Sequence, residues 1–275
     1  MSIETNPSSD FVLGEAHFAQ IKTWLYEASG IDLKPGKESL VKNRLTNRLR
    51  ILGLSGFDAY LRYIEQDASH DEMAILIDSM TTNKTSFFRE TPHFEYIAKD
   101  LLPAWSKKTS VRIWSAGCSS GEEPYSLAML FLAKLSKPSA VRILATDISD
   151  TILSAARKGT YRKDQVADVP TAYKTKYLQS SAPEEPPLFT VKQEARNLVR
   201  FASLNLMGSW PMKGPFDLIL CRNVMIYFDH PTQERLINRY YDMLAPGGHL
   251  FIGHSESLSS TQHSFDYVQP AVYRR

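Results

Sequence analysis

The chain has 275 residues, 43% of them hydrophobic, enough to bury one large core or a large one beside a small one. Its 32 basic residues against 30 acidic ones leave it near neutral, which argues against a nucleic-acid binder or a membrane-surface protein. No run approaches the roughly 18–20 apolar residues of a membrane span, and Cys118 and Cys221 make neither a disulfide framework nor a zinc spacing, so a reduced, cytoplasmic protein without metal is expected.

Residues 1–10 lack the basic-then-apolar layout of a signal peptide and read as a loose tail. From 11 to 80 the periodicity is helical throughout. "FAQIKTWLYEASG" puts Phe18, Ile21 and Leu25 on one face and closes at Gly30, and "GKESLVKNRLTNRLRILG" repeats Leu45, Leu49 and Leu52 and stops at Gly53. "FDAYLRYIEQD" and "HDEMAILIDSM" predict two further amphipathic helices, making a small all-helical domain over 11–80. The second helix shows Lys42, Arg44, Arg48 and Arg50 against no acid, either a solvated face or a surface for an acidic helical partner. Without interleaved aromatics it does not resemble a nucleic-acid groove. "TTNKTSFFRETPHF" mixes polar and aromatic residues, and Pro92 marks a helix boundary, so 81–92 reads as a linker.

Over 93–275 strands and helices alternate. "VRIWSA", "VRILATD", "LVRFASLNL" and "FDLILCRNV" are short apolar runs of the kind covered on both faces, which predicts a parallel sheet between helices. "APGGHLFIGHSES" and "FDYVQPAVYRR" follow one another without a helix and predict an antiparallel pair closing the sheet. "KYLQS" and "PLFTVKQ" around "SAPEEPP" predict a β-hairpin insert at about 173–195.

The segment "VRIWSAGCSSGEEPYSLAMLF" carries the first chemistry. Gly117 and Gly121, with small residues between them, let a ligand approach the backbone where strand turns into helix. The segment fits neither GxxxxGK[ST] nor GxGxxG. Glu122 and Glu123 at the helix start would repel a diphosphate and attract a cation, which points to a small, positively charged, nucleoside-like ligand; complementing the helix dipole is the plainer role. Asp147 lies 26 residues beyond Gly121 at the end of "VRILATD", placed to accept from two ribose hydroxyls or to cap the next helix. Asn205 and Leu206 offer an amide and an apolar partner to an adenine edge. Arg222 and Asn223 emerge directly behind an apolar strand, with Tyr227 one turn later.

Taken together, "TTNKTSFFRE", "SAGCSSGEEPYSLAM", "TDIS", "SLNL", "CRNVMIYF" and "PGGHLFIGHSES" resemble, in order, the chemotaxis-receptor glutamate methyltransferase family of CheR type. The resemblance implies a Rossmann-like class I methyltransferase sheet, parallel with an antiparallel closing strand, behind a small N-terminal all-helical domain and carrying a β-hairpin insert. It implies S-adenosylmethionine as cofactor, S-adenosylhomocysteine as product, no metal, and the helical bundle of a methyl-accepting chemoreceptor as partner. Residue by residue it implies that Asn83, Thr85 and Arg89 line the site from the linker. Glu123 would hold the methionyl part and Asp147 the ribose, with Gly117 close by, and Asn205, Leu206, Arg222 and Asn223 would surround the adenosine. Arg89 and Tyr227 would stand nearest the transferred methyl. Family members that bind a receptor's C-terminal tail resemble one another in a Gly-x-Gly turn of the insert; "QSSAPEEPP" lacks it, so docking is expected on the N-terminal helices. A nicotinamide dehydrogenase is disfavoured by the glycine spacing, and a nucleic-acid amino-methyltransferase by the absence of proline in "CRNVMIY". A non-catalytic adenosylmethionine-binding adaptor is disfavoured by the presence of Arg89 and Tyr227.

Overall fold

The computed structural model describes residues 11–181 and 186–275; the N-terminal tail and the tip of the predicted insert, 182–185, lie outside the described residues. The chain divides into two compact units between Thr82 and Asn83.

The first unit holds four helices, α1 (Glu15–Ser29), α2 (Glu38–Ile51), α3 (Phe57–Gln66) and α4 (Asp71–Met80). Gly30 ends α1 in the left-handed conformation, φ +76°, its N–H on the Tyr26 carbonyl. Phe18, Ile21 and Leu25 of α1, Val41, Leu45 and Leu49 of α2, and Phe57, Tyr60 and Ile64 of α3 are buried, at the spacings that place them on one helix face. The basic stripe of α2 is not the uncommitted face its sequence suggests. Arg48 forms a two-pronged pair with the buried Glu72 of α4, which also accepts from the Tyr60 hydroxyl (2.9 Å). Arg44 donates to the carbonyls of Ser79 and Thr81, 3.1 Å each, at the exit of α4. The acid that answers Arg48 lies 24 residues away, so reading α2 alone could not reveal it. Arg50 is exposed.

In the second unit Pro92 starts a helix instead of ending one. It lies in the first turn of α5 (Thr91–Tyr96), which passes through a π turn (Ile97–Leu101) into α6 (Leu102–Trp105). There follow β1 (Val111–Ala116), α7 (Glu122–Lys134), β2 (Val141–Asp147), α8 (Asp150–Lys158), β3 (Thr160–Arg162), α9 (Thr171–Tyr177), β4 (Leu178–Ser180), β5 (Leu188–Val191) and α10 (Gln193–Arg196). The chain closes with β6 (Val199–Ser203), β7 (Phe216–Cys221), α11 (His230–Met243), β8 (Leu244–Ile252), β9 (Asp266–Gln269) and β10 (Val272–Arg274).

The main sheet has the order β6-β2-β1-β7-β8-β10-β9, parallel through β8 and antiparallel at its last two strands. The predicted antiparallel closing pair is formed by β8 and β10, while "FDYVQPAVYRR" makes two short strands in place of one, the later of which lies inside the earlier. Alternate residues serve opposite faces. Ile113, Leu218, Leu220 and Phe251 join the core that includes α7, whereas Trp114, Ile219, Cys221 and Leu250 join the one that includes α11. Burial on both faces accounts for unbroken apolar runs in place of an alternating pattern. Strand order reverses between β1 and β7, and outside the carboxyl ends at such a switch point a doubly wound sheet forms its ligand crevice.

The insert begins earlier than predicted. β4 and β5 form the antiparallel hairpin predicted within 173–195, and β3 pairs with the other side of β5, so the insert is a three-stranded sheet from Thr160. The three residues of β3 are too few to show a period.

Candidate active site

The turn after β1 is the tightest feature at the crevice. Gly117 (φ +82°), Ser119 (φ +48°) and Gly121 (φ +94°) put three left-handed residues into five positions. A Cβ on Gly117 would stand 2.4 Å from Cγ2 of Val224, so glycine there admits the turn after β7. The turn's N–H groups are engaged internally. Those of Gly117 and Cys118 meet the Thr146 carbonyl (2.8 and 2.9 Å), that of Ser119 meets Asp147 (2.8 Å), and that of Gly121 meets the Cys118 carbonyl (3.1 Å). A diphosphate cradle needs such groups directed at the ligand, with a helix N-terminus clear of negative charge. Here Glu122 and Glu123 occupy the start of α7.

The two glutamates diverge. Glu122 is buried and accepts from the Ser120 hydroxyl (2.6 Å); burial raises its carboxyl above the ordinary value, only partly offset by that hydrogen bond. Glu123 accepts from the Ser115 hydroxyl (2.7 Å) and pairs with Arg222 (2.8 Å). One cation at this acidic helix start, facing Glu123, is supplied by the chain itself.

Arg222 is the hub of a second cluster. Its guanidinium pairs with Glu90 (3.0 Å) as well as Glu123 and donates to the main-chain carbonyl of Arg89. Its side chain is thus committed to internal partners. Burial opposes ionisation of Glu90, but Arg222 and the His254 N–H bring its carboxyl below the ordinary value. His93, whose ring is buried and has both nitrogens without a hydrogen-bond partner, is pushed down to about 3 by burial and then by Arg222. Among the described residues, Glu90, His93 and His254 offer potential metal-ligand atoms within 4.8 Å of one another. Arg222 already pairs with Glu90, so a divalent ion there would face a guanidinium.

Residues 83–90, expected as part of a linker that contributes to the site, pack into this unit. Phe87 and Phe88 are in its core, the Phe88 N–H donates to the Ser126 hydroxyl (2.9 Å), and Ser119 Oγ donates to the Asn83 carbonyl (3.1 Å). The paired aromatics of "TSFFRE" were the available signal. Arg89 donates to the Lys84 carbonyl (2.9 Å), closing this loop on itself, and Thr85 lies half-buried within it.

Asp147, at the end of β2, accepts from the N–H groups of Ser119 (2.8 Å) and Ser149 (3.1 Å). It does not cap α8; the Ser149 hydroxyl does, accepting from Ile152. The Asp147 carbonyl receives the Leu204 N–H (2.9 Å), which brings the end of β6 alongside. One residue on, Asn205 Oδ1 accepts from Met207 N–H (2.9 Å) and Leu206 is buried. Asn223 follows β7 with φ +59°, and Tyr227 ends the 3₁₀ turn Met225–Tyr227 behind it. Hydrogen bonds, chain adjacency and the Val224–Gly117 contact thus link Asn83, Gly117, Asp147, Leu204–Leu206, Arg89, Glu123 and Arg222–Asn223; Thr85 and Tyr227 lie in the same loops.

A doubly wound sheet with an antiparallel closing edge, acidic acceptors at the ends of its strands and a glycine turn whose N–H groups face inward defines an S-adenosylmethionine-dependent methyltransferase. Comparison with known families narrows the class. Residues 16–81 match the CheR methyltransferase all-alpha domain and residues 83–273 the CheR methyltransferase SAM-binding domain. The chain belongs to the CheR methyltransferase family. It is 40% identical over 264 residues to the chemotaxis protein methyltransferase of Escherichia coli, covering 95% of this chain and 91% of that one. To the chemotaxis protein methyltransferase of Borreliella burgdorferi it is 38% identical, covering 91% of each. Chemotaxis protein methyltransferase 2 of Pseudomonas aeruginosa is 37% identical over 98% of each chain. Among the described residues no helix is long and apolar enough to cross a membrane.

Proposed function

We propose that this protein methylates glutamate side-chain carboxylates of chemoreceptors, giving methyl esters and S-adenosylhomocysteine in chemotactic adaptation. The observation that carries the reading is the site's donor set. The turn after β1 turns its N–H groups inward, and what remains at the crevice is carboxylates, an amide and an arginine, suited to hydroxyls, an amino group and an incoming anion.

In this reading the ribose takes Asp147, whose carboxylate stands at the end of β2, oriented by the N–H groups of Ser119 and Ser149. The cofactor's amino group takes Glu123, held at a fixed angle by Ser115 and Arg222. Asn205, Leu206 and the Arg222–Asn223 turn surround the adenine, and Asn83, Thr85 and Gly117 complete the wall. The bound cofactor supplies a methyl group already activated by a sulfonium. A glutamate carboxylate is a nucleophile at neutral pH, so no base is needed. The remaining work is alignment and exclusion of water, for which orientation can supply effective molarities on the order of 10⁵–10⁸ M. Arg89 steers the acceptor carboxylate and Tyr227 donates a hydrogen bond to it. Docking falls to the exposed Arg50 of the α2 stripe, because Arg44 and Arg48 hold α4.

The test is incubation with methyl-labelled S-adenosylmethionine and receptor-bearing membranes. Label in protein that mild base releases is expected; base-stable label, or label in nucleic acid, overturns the reading. Arg89→Ala is expected to lose transfer by far more than it loses cofactor affinity, and equal losses would remove Arg89 from the steering role.

A further inference from the structure

One carboxylate of the turn after β8, Glu256, holds the turn after β7. Glu256 accepts the N–H of Gly253 (2.6 Å) in its own turn and those of Asn223 (2.9 Å) and Ile226 (3.2 Å) in the neighbouring one. The Met225 N–H adds to this set of backbone donors. The carboxylate is largely desolvated, and burial raises it above its ordinary value against the pull of these donors. The arrangement is a backbone nest closed around a side-chain anion from the adjacent strand.

What the nest holds is the segment that carries Asn223 and Tyr227. Asn223 stands in the left-handed region, which a non-glycine residue keeps only when its surroundings over-determine it. Two glycines let the segment in. A Cβ on Gly253 would come within 2.5 Å of Asn223 Nδ2, and one on Gly117 within 2.4 Å of Val224 Cγ2. The segment is therefore wedged between the turns after β1 and β8, and Glu256 bonds it in place.

We propose that Glu256 is a positioning residue for methyl transfer, setting the backbone of Asn223–Tyr227 and through it the contacts of Asn223 with the cofactor and of Tyr227 with the acceptor. The proposal rests on the methyltransferase reading of this site. Glu256→Gln keeps the shape but sets an amide N–H against backbone N–H groups, leaving one oxygen where two accepted. In the full-length protein, hydrogen exchange read by mass spectrometry over 222–227, with β1 as internal reference, follows the segment directly. Exchange there is expected to rise about tenfold or more with β1 unchanged, and kcat to fall about 10- to 100-fold while KM for receptor stays within about twofold. Glu256→Ala is expected to match or exceed both effects. Unchanged exchange in Glu256→Gln, or faster exchange with unchanged kcat, overturns the proposal. Failure of the unaltered protein to take up S-adenosylhomocysteine would instead overturn the methyltransferase reading, and the proposal with it.

Discussion

Two buried arginine–carboxylate clusters, one in each unit, use the same chemistry to different ends. In the helical unit Arg48 meets Glu72 and Glu72 meets Tyr60, three side chains within 24 residues of sequence that tie α2 to α3 and α4. In the sheet unit Arg222 meets Glu123 and Glu90, 99 and 132 residues away, and joins three segments that otherwise share no strand or helix. The first cluster holds helices; the second holds pieces of a site. Desolvated ion pairs contribute little net stability against apolar substitutes, but removing one partner is severe. The difference between the clusters should therefore appear in what else fails when each arginine is lost.

The largest effect is expected for Arg222→Met, which leaves Glu90 and Glu123 without their cation. Denaturant titration should show a loss of ~3–5 kcal/mol, and calorimetry the loss of S-adenosylhomocysteine uptake. Adding Glu90→Gln and Glu123→Gln should recover stability without recovering uptake if Glu123 holds the cofactor as proposed; recovery of both would make the second cluster as purely structural as the first. Arg48→Met should destabilise the helical unit by about 3 kcal/mol, Tyr60 still donating to Glu72. Its cofactor affinity should match that of the unaltered protein, and a parallel loss of affinity would erase the contrast.

Acid should act through the sheet unit. His93 and His249 are held down to about 3 and about 4 by burial, from an ordinary value of 6.5, and Arg222 adds to the effect on His93. Both are neutral when folded and take up protons on unfolding, so their stabilisation is complete above pH 6.5 and is lost as pH falls toward these values. The slope is up to about 1.4 kcal/mol per pH unit for each histidine. Urea midpoints between pH 7.5 and 5 should decline, and His93→Phe, which keeps the ring packing on Phe251, should flatten the decline. The smallest effect is expected for Arg50→Ala, on the same helix as Arg48 but exposed: within ~0.5 kcal/mol in stability, with weaker receptor binding in a low-salt pull-down. A stability loss comparable to that of Arg48→Met would mean that charge on α2, and not partnership with Glu72, is what matters.

The four N-terminal helices, the strand–helix alternation and the positions of Gly117, Glu123, Asp147, Asn205, Arg222 and Asn223 at or just beyond strand ends could all be read from residue type and spacing. These are local signals: apolar periods, capping glycines, and polar residues placed behind apolar strands. Asn83, Thr85 and Arg89 were reached only through resemblance, because an extended wall held by single backbone hydrogen bonds has no period to detect. The three-residue β3 escaped for the same reason. The partners of Arg48 and Arg222 and the grip of Glu256 on Asn223 could not be read at all, since each joins residues whose proximity exists only after the helices of the first unit or the sheet of the second have packed.

By itself, then, the sequence determined which segments become helix or strand and which chemical groups end up at strand termini, because hydrophobic period and turn stereochemistry act within a few residues. Tertiary structure alone decided which charges neutralise one another, which N–H groups turn inward, and which acid holds the turn bearing Tyr227. Those outcomes depend on distances between chain-remote atoms in a desolvated interior, where an unpaired charge or donor is too costly to leave and the nearest partner is whichever one helix packing or strand order brings alongside.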